Sequence, residues 1–185
     1  MTWQTVSLDD VKPTPWRNGG GTTRELLAWP KVEDWQWRAS VAEVVQSGPF
    51  SSFADVKRWF AVLEGDGVCL TVDGALHNLS QRDQPLMFDG AAQTTCELQG
   101  GATQDFNLMV QGGASARMLR VNGSHQTTTD TPKIIAAYTH KVRATVQIGD
   151  ENHELLPFSF GWELVDAHVG VQVLSTDVLL MEIDL

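Results

Sequence analysis

The sequence predicts an all-β protein of two antiparallel β-barrels. Three observations carry that prediction. Helix signals are scarce in a chain of 185 residues punctuated by 16 glycines and seven prolines. Short β-rich runs end at tight-turn residues at close spacing, the pattern of an antiparallel sandwich or barrel. The second half also echoes the first at an offset of 76 residues. Val72 falls on Ile148, Asp73-Gly74 on Gly149-Asp150, His77 on His153 and Leu79 on Leu155. Repetition of one barrel-sized unit implies two units in the chain.

Taken in order, Leu8-Asp9-Asp10-Val11 suits a single helical turn, and Phe53 to Lys57 a second one after Pro49. Trp35 to Val44 and Arg58 to Leu63 alternate as strands. Val68-Cys69-Leu70-Thr71-Val72 is β-rich and stops at Asp73-Gly74, a strong hairpin signal, with Ala75 to Leu79 returning. Gln81 to Gln84 forms the next turn and Pro85 to Phe88 the next strand. Gln111 to Pro132 is polar, with Gly112-Gly113 and Gly123-Ser124, and is expected to be a partly mobile passage between halves. Ala144 to Ile148 and Asn152 to Leu156 make the second hairpin. Val178 to Ile183 reads as a buried strand placed to cross back and close a barrel. The expected organisation is a first barrel over 1–110 with a glycine-rich N-terminal loop, a connecting segment over 111–132 and a smaller second barrel over 133–185.

A net charge of −10 is the wrong sign for nucleic acid, because phosphate contacts need clustered Lys and Arg. A local basic pocket for a small anion remains compatible with it. Met1-Thr2-Trp3-Gln4 has neither a basic nor an apolar leader region, and no apolar run approaches the roughly 20 residues of a membrane helix. Cys69 and Cys96 lack CxxC spacing and read as core thiols. The expected location is cytoplasmic, with no membrane or nucleic-acid partner.

Catalytic motifs are missing from the sequence. No two of His77, His125, His140, His153 and His168 are one, three or four residues apart, so metal-ligand spacing is lacking and no metal or cofactor is expected. His77 and His153 fall beside hairpin turns and read as solvent-exposed. There is no Gly-x-Ser-x-Gly elbow and no Gly-Lys-Ser/Thr phosphate loop.

What remains is a set of polar groups in apolar strands. Alternation puts Gln36, Arg38, Ser40, Ala42 and Val44 on one face, opposite Trp35, Trp37, Ala39 and Val41. That mixed face suits either a barrel lumen or a solvated sheet. Arg58 shares a face with Phe60 and Val62, where it needs a ligand or a structural partner such as Glu43, Glu64 or Asp105. Asp105 and Asn107 lie on one side of their strand, with Phe106 on the other. Upstream, Pro15 to Glu25 surrounds Gly19-Gly20-Gly21 with an indole, guanidiniums, an amide, hydroxyls and a carboxylate. That composition suits backbone brought close to a ligand, or a tight turn entering a strand. Arginine, asparagine and threonine converging on one cavity would make a carboxylate receptor, since a guanidinium binds carboxylate as a bidentate fork.

Trp16-Arg17-Asn18-Gly19-Gly20-Gly21-x-Thr23-Arg24-Glu25 resembles the N-terminal signature of the HutD/Ves family. The resemblance continues through Trp37 to Ala42, Gly48-Pro49-Phe50-Ser51-Ser52-Phe53, Arg58 and Val62 to Gly67. It ends with Phe88-Asp89-Gly90 and Asp105 to Met109. These segments run in family order over residues 15–109. The chain departs at Ala54-Asp55, where the family has a Pro-Gly turn. The resemblance implies a cupin-like, jelly-roll fold with two barrels in one chain, a bicupin. It also implies a role in histidine utilisation or stress responses, and a small-molecule site in the first barrel for an acidic intermediate such as N-formyl-glutamate. Carried onto this chain, Arg58 is the anchor, with Asn18, Thr23, Arg24, Arg38 and Asn107 as further candidates.

Two functional readings follow. The first is a non-catalytic protein that binds a small carboxylate and so modulates catabolism. The alternative is a metal-independent cupin-class isomerase, epimerase or hydrolase with Glu43 or Glu64 as general base. Most of the seven tryptophans are expected in the core, with some available for a pocket or a homodimer contact.

Overall fold

The structure is a computed structural model describing residues 2–185. Met1, which the leader reading includes, lies outside the described residues. The chain is all-β. Its N-terminal half carries β1 (Gln4–Ser7), β2 (Thr14–Pro15), β3 (Gly21–Trp29), β4 (Trp37–Val44), β5 (Gly48–Pro49), β6 (Lys57–Glu64), β7 (Val68–Val72), β8 (Ala75–Leu79), β9 (Leu86–Asp89), β10 (Thr94–Leu98) and β11 (Thr103–Val110). The remainder carries β12 (Ser115–Thr128), β13 (Lys133–Thr139), β14 (Ala144–Ile148), β15 (Glu151–Leu155), β16 (Ser159–Val165) and β17 (Gly170–Asp184). A 3-10 turn covers Leu8–Asp10, where one helical turn was expected. Among the described residues no helix is long and apolar enough to cross a membrane.

Contacts divide the chain into two compact units. One is Val11–Gly112; the other joins the N-terminal residues up to Asp10 to Gly113–Leu185. This corrects the expected boundaries at 110 and 133 in two ways. First, β1 pairs with β16, with Gln4 opposite Trp162 and Ser7 opposite Ser159, so the N-terminus belongs with the C-terminal half. Second, the supposed polar passage 111–132 contains the 14-residue β12, paired with β17 from Ser115↔Asp184 to Thr128↔Gly170. Its polar residues alternate with Met118, Arg120 and Val121, which are buried. A long pairing partner imposes strand structure where local composition suggests loop.

The Val11–Gly112 unit has two sheets, ordered β2-β3-β4-β11-β6-β9 and β5-β10-β7-β8. Val44, Phe60 and Val62 of the first share a core with Val68, Leu70 and Cys96 of the second. The other unit has a seven-stranded sheet along β1-β16-β13-β17-β14-β15, with β12 also on β17. Val121, Ile135, Ala137, Val146, Val173 and Leu180 form its core. The buried terminal strand expected at 178–183 is the second half of β17, flanked by β12 and β13.

The 76-residue echo is real at the level of elements. The hairpins β7–β8 and β14–β15 have the same lengths, and their closing pairs, Val72↔Ala75 and Ile148↔Glu151, correspond at that offset. The expected helical turn at 53–57 is instead a turn with Asp55 at φ 59°, followed directly by β6. Aspartate tolerates the left-handed region better than most side chains, so Ala54-Asp55 replaces a glycine turn.

Candidate functional site

A cavity of about 770 Å³ opens in the Val11–Gly112 unit, on the face shared by β3, β4, β11 and β6. The register explains its lining. Cross-strand neighbours share a face, so Thr23 and Ala42 form one row, Ser40, Asn107 and Phe60 a second, and Arg38, Met109 and Arg58 a third. All of these line the cavity. The lumen face predicted for β4 is therefore the cavity face from Arg38 to Val44, although Gln36 is not among the lining residues.

Arg58 is the most buried charge lining the cavity, only 6% exposed. Nη2 donates to Asn107 Oδ1 at 3.0 Å and Nη1 to the Ser51 carbonyl at 3.4 Å. Nε is buried without a hydrogen-bond partner among the described residues. Phe50, Phe53 and Phe88 surround the guanidinium at 5.3, 5.7 and 5.1 Å from their ring centroids. Burial, then the like charge of Arg38, lowers its pKa to about 10, so it stays cationic at neutral pH. Among the described residues none of the carboxylates offered as structural partners takes that part, and the Arg58 hydrogen bonds go to an amide and a carbonyl. Arg38 lies two strands away, about 10 Å by sheet spacing. It pairs with Glu25 at 3.5 Å and lies 5.6 Å over Trp35, with its own Nε buried and without a hydrogen-bond partner among the described residues.

The glycine loop forms the rim. Trp16, Arg17 and Asn18 line the mouth, and Trp16 Nε1 donates to Thr23 Oγ1 at 2.8 Å. The loop's amides are largely committed within it. Gly19 N donates to Trp16 O, and Gly20 N donates to Asn18 Oδ1 at 3.0 Å. The glycines are there for close approach instead. A Cβ on Gly21 would lie 2.2 Å from the Glu43 carbonyl oxygen and 3.2 Å from the Trp16 ring, while Gly19 has φ 73°.

Five of the six predicted residues thus meet at one cavity: Asn18, Thr23, Arg38, Arg58 and Asn107. Arg24 does not line it, because it pairs with Val41 and so lies on the opposite face of β3 from Thr23. The proposed bases fall elsewhere: Glu43 is exposed on the other face of β4 from Ala42, and Glu64 does not line the cavity. The phenylalanine cage is a feature sequence reasoning missed. Gly48 to Phe53 and Phe88 were visible only as motif segments, and the β5–β6 loop and β9 bring them together around Arg58 on β6.

Asp105 is fully buried on the same sheet face as Asn107, at a bulge between β11 and β6. It accepts from Thr103 Oγ1 at 2.7 Å, while Oδ1 has no partner among the described residues. Burial pushes its carboxyl up to about 7, against the opposing hydrogen bond. Cys96 is buried and Cys69 half-buried, and burial, then the Asp105 charge, pushes the Cys96 thiol up to about 12. An unreactive thiol results. His77 is half-buried on β8 opposite Leu70. His153 is also not the exposed turn residue expected, since its ring stacks on Trp3 at 5.0 Å.

The sequence model of the HutD family matches residues 8–176. The chain belongs to the HutD family. Over 114 residues it is 40% identical to an uncharacterised 21.2 kDa protein from the hutC 3′ region of Pseudomonas putida, covering 57% of each chain. It is 38% identical over 116 residues to the protein Ves of Cronobacter sakazakii, covering 60% of this chain and 64% of that one. The matched stretch therefore spans less than two thirds of these relatives. Among solved structures, HutD from Pseudomonas fluorescens SBW25 in a formate condition superposes over 98% of both chains, with a TM-score of 0.83 and 28% identity. Likeness to a Bacillus subtilis oxalate decarboxylase at 8% identity has a TM-score of 0.66, covering 97% of this chain and 76% of that one, and shows the fold alone. The fold is cupin-like.

Proposed function

We propose that this HutD-family chain is a non-catalytic receptor for a small carboxylate, acting in histidine utilisation. The carrying observation is Arg58. It is a buried cation facing a 770 Å³ cavity, held by Asn107 and Ser51 without a carboxylate partner, and its Nε is unused. A buried charge left in that state favours an anionic guest over water. The phenylalanine cage supports one orientation of the guanidinium, so little ordering is needed when a carboxylate arrives. Arg38, with an unused Nε of its own about 10 Å away by sheet spacing, supports a guest with a second polar or acidic end, as in N-formyl-glutamate. The hutC-region name of the Pseudomonas putida relative supports the metabolic setting. The matching hairpins at the 76-residue offset support two cupin-like barrels, a bicupin.

The enzyme alternative is less supported, because neither Glu43 nor Glu64 faces the cavity. The test is calorimetric titration of wild type, Arg58→Ala and Arg58→Lys with N-formyl-glutamate, glutamate, urocanate and histidine. Wild type should bind at least one acidic member below millimolar. Arg58→Ala should lose on the order of 2–5 kcal/mol, and Arg58→Lys should recover part of it. Equal binding by Arg58→Ala, or no submillimolar ligand, would leave Arg58 a structural residue.

A further inference from the structure

Building on the carboxylate reading of the Val11–Gly112 cavity, we propose that Arg17, on the glycine-rich loop, is a second anion-binding residue there. The guest is then an organic acid with two carboxylates, one at Arg58 and one at Arg17. Acids outnumber bases in the chain, 23 to 13. The cavity reverses that balance: Arg17, Arg38 and Arg58 line it, and no Asp, Glu, Lys or His does. Among the described residues Arg38 has a carboxylate beside it, Glu25 at 3.5 Å, whereas Arg17 and Arg58 form no ion pair. Two guanidiniums are left uncompensated, and two carboxylates on one guest would match them.

The loop holds Arg17 in place through its backbone. Gly19 N donates to Trp16 O at 3.1 Å, which makes Arg17 and Asn18 the central residues of a tight turn. Trp16 N donates to the Gly21 carbonyl and Val45 N to the Gly20 carbonyl, both at 2.9 Å, so the turn is tied to the start of β3 and the end of β4. The Trp16 indole is bonded in turn to Thr23. The Arg17 side chain lies exposed at the mouth and makes no hydrogen bond or ion pair among the described residues. A free guanidinium on a fixed turn is a prepared anion ligand, because the backbone needs no further ordering when the guest arrives.

Arg58 and Arg17 meet the cavity from different sides. Arg58 stands on β6 and the glycine loop leads into β3, with β4 and β11 between those strands. Three strand spacings separate β3 from β6, about 14 Å, and two long arginine stems shorten the gap a guest must bridge. The lining between them is neutral, with Ala42, Phe60 and Met109 beside Ser40 and Asn107. That arrangement suits an acid with a carboxylate at each end of a short carbon chain. Arg58, shielded from water, supplies most of the affinity. Exposed Arg17 supplies the preference for two charges over one, and it draws an anion towards a chain whose net charge of −10 would otherwise repel it.

The experiment is calorimetric titration of the full chain with valerate against glutarate and heptanoate against pimelate, each pair matched in chain length and differing by one carboxylate. Wild type should bind one diacid about fivefold tighter than the monoacid of its length, the upper end of what an exposed ion pair supplies. Arg17→Gln should remove that preference and leave monoacid affinity and the unfolding midpoint unchanged, because the side chain holds nothing in the fold. Arg17→Lys should keep most of the preference, and raising salt should erode it. Arg58→Ala should weaken both members of each pair. A diacid preference that survives Arg17→Gln, or monoacid binding to wild type with no diacid preference, overturns the assignment of Arg17 and leaves the Arg58 reading standing. Undiminished affinity in Arg58→Ala overturns the Arg58 reading instead. No saturable binding of any of these acids at millimolar concentration overturns both.

Discussion

The two units share a hairpin of identical length at a fixed offset, yet they hold their buried cations differently. Val11–Gly112 presents Arg38 and Arg58 to its cavity, with phenylalanines around one guanidinium. The other unit buries Arg120 and Lys133, and pairs each with carboxylate: Arg120 with Asp177 at 2.7 Å, and Lys133 with Asp130 at 2.7 Å and Asp184 at 3.3 Å. Common strands therefore fix where side chains point, and the neighbours of a few buried positions decide whether a charge is paired within the chain.

The largest effect that would sharpen the comparison is expected at Gly21. Its missing Cβ would meet backbone, the Glu43 carbonyl at 2.2 Å, which cannot swing away. Gly21→Ala should cost about 3 kcal/mol or more in denaturant unfolding and distort the cavity rim. Retention of wild-type stability would show that the β3–β4 contact is looser than described.

Asp105, in the Val11–Gly112 unit, should give the next effect. Its folded pKa, about 7, lies above the ordinary carboxylate value, so the folded state holds the proton more tightly than the unfolded chain. Stability attributable to this group is then fullest below about pH 4 and is lost as pH rises towards 7. Asp105→Asn should remove that slope and stabilise the protein at pH 8 by at most about 4 kcal/mol. A wild-type slope of opposite sign over that window, or its persistence in Asp105→Asn, would contradict the assignment.

Gly161 is the counterpart of Gly21 in the unit containing Gly113–Leu185, but its obstacle is a side chain, Trp3. Gly161→Ala should cost between about 1 and 3 kcal/mol. Trp3→Ala in the same chain should absorb most of that penalty, so a double-mutant cycle should be strongly non-additive. Additive losses would mean that Trp3 does not rest on Gly161.

The smallest effect is expected at Asp55, which holds φ 59° without being glycine. Asp55→Gly should raise stability by up to about 1 kcal/mol, because glycine carries no left-handed penalty. A loss would show that the aspartate side chain holds the turn.

Much of this was legible in the sequence because strand alternation is a local signal. Arg38, Ser40 and Ala42 on one face of β4, Arg58 beside Phe60 on β6, and Asn107 on β11 all follow from a period of two. The hairpin echo needed only the turn residues at 73–74 and 149–150. Long-range pairing was not legible. Nothing local in Gln4 to Ser7 names β16 as its partner, and the polar composition of Ser115 to Thr128 hid a strand that β17 imposes. The cage around Arg58 was hidden for the same reason, since Phe50, Phe53 and Phe88 meet only in the folded chain. His153 was misread because its neighbour Trp3 is 150 residues away in sequence.

The central claim is that Arg58 is a carboxylate anchor awaiting a guest. The most direct measurement is the Nε–H resonance of Arg58, assigned by comparison with Arg58→Lys and followed by NMR during titration with N-formyl-glutamate. The account predicts a saturable downfield shift of that one signal, with the same midpoint as the calorimetric titration, as the unused Nε donates to the incoming carboxylate. An unmoved Arg58 signal at saturating ligand would contradict it.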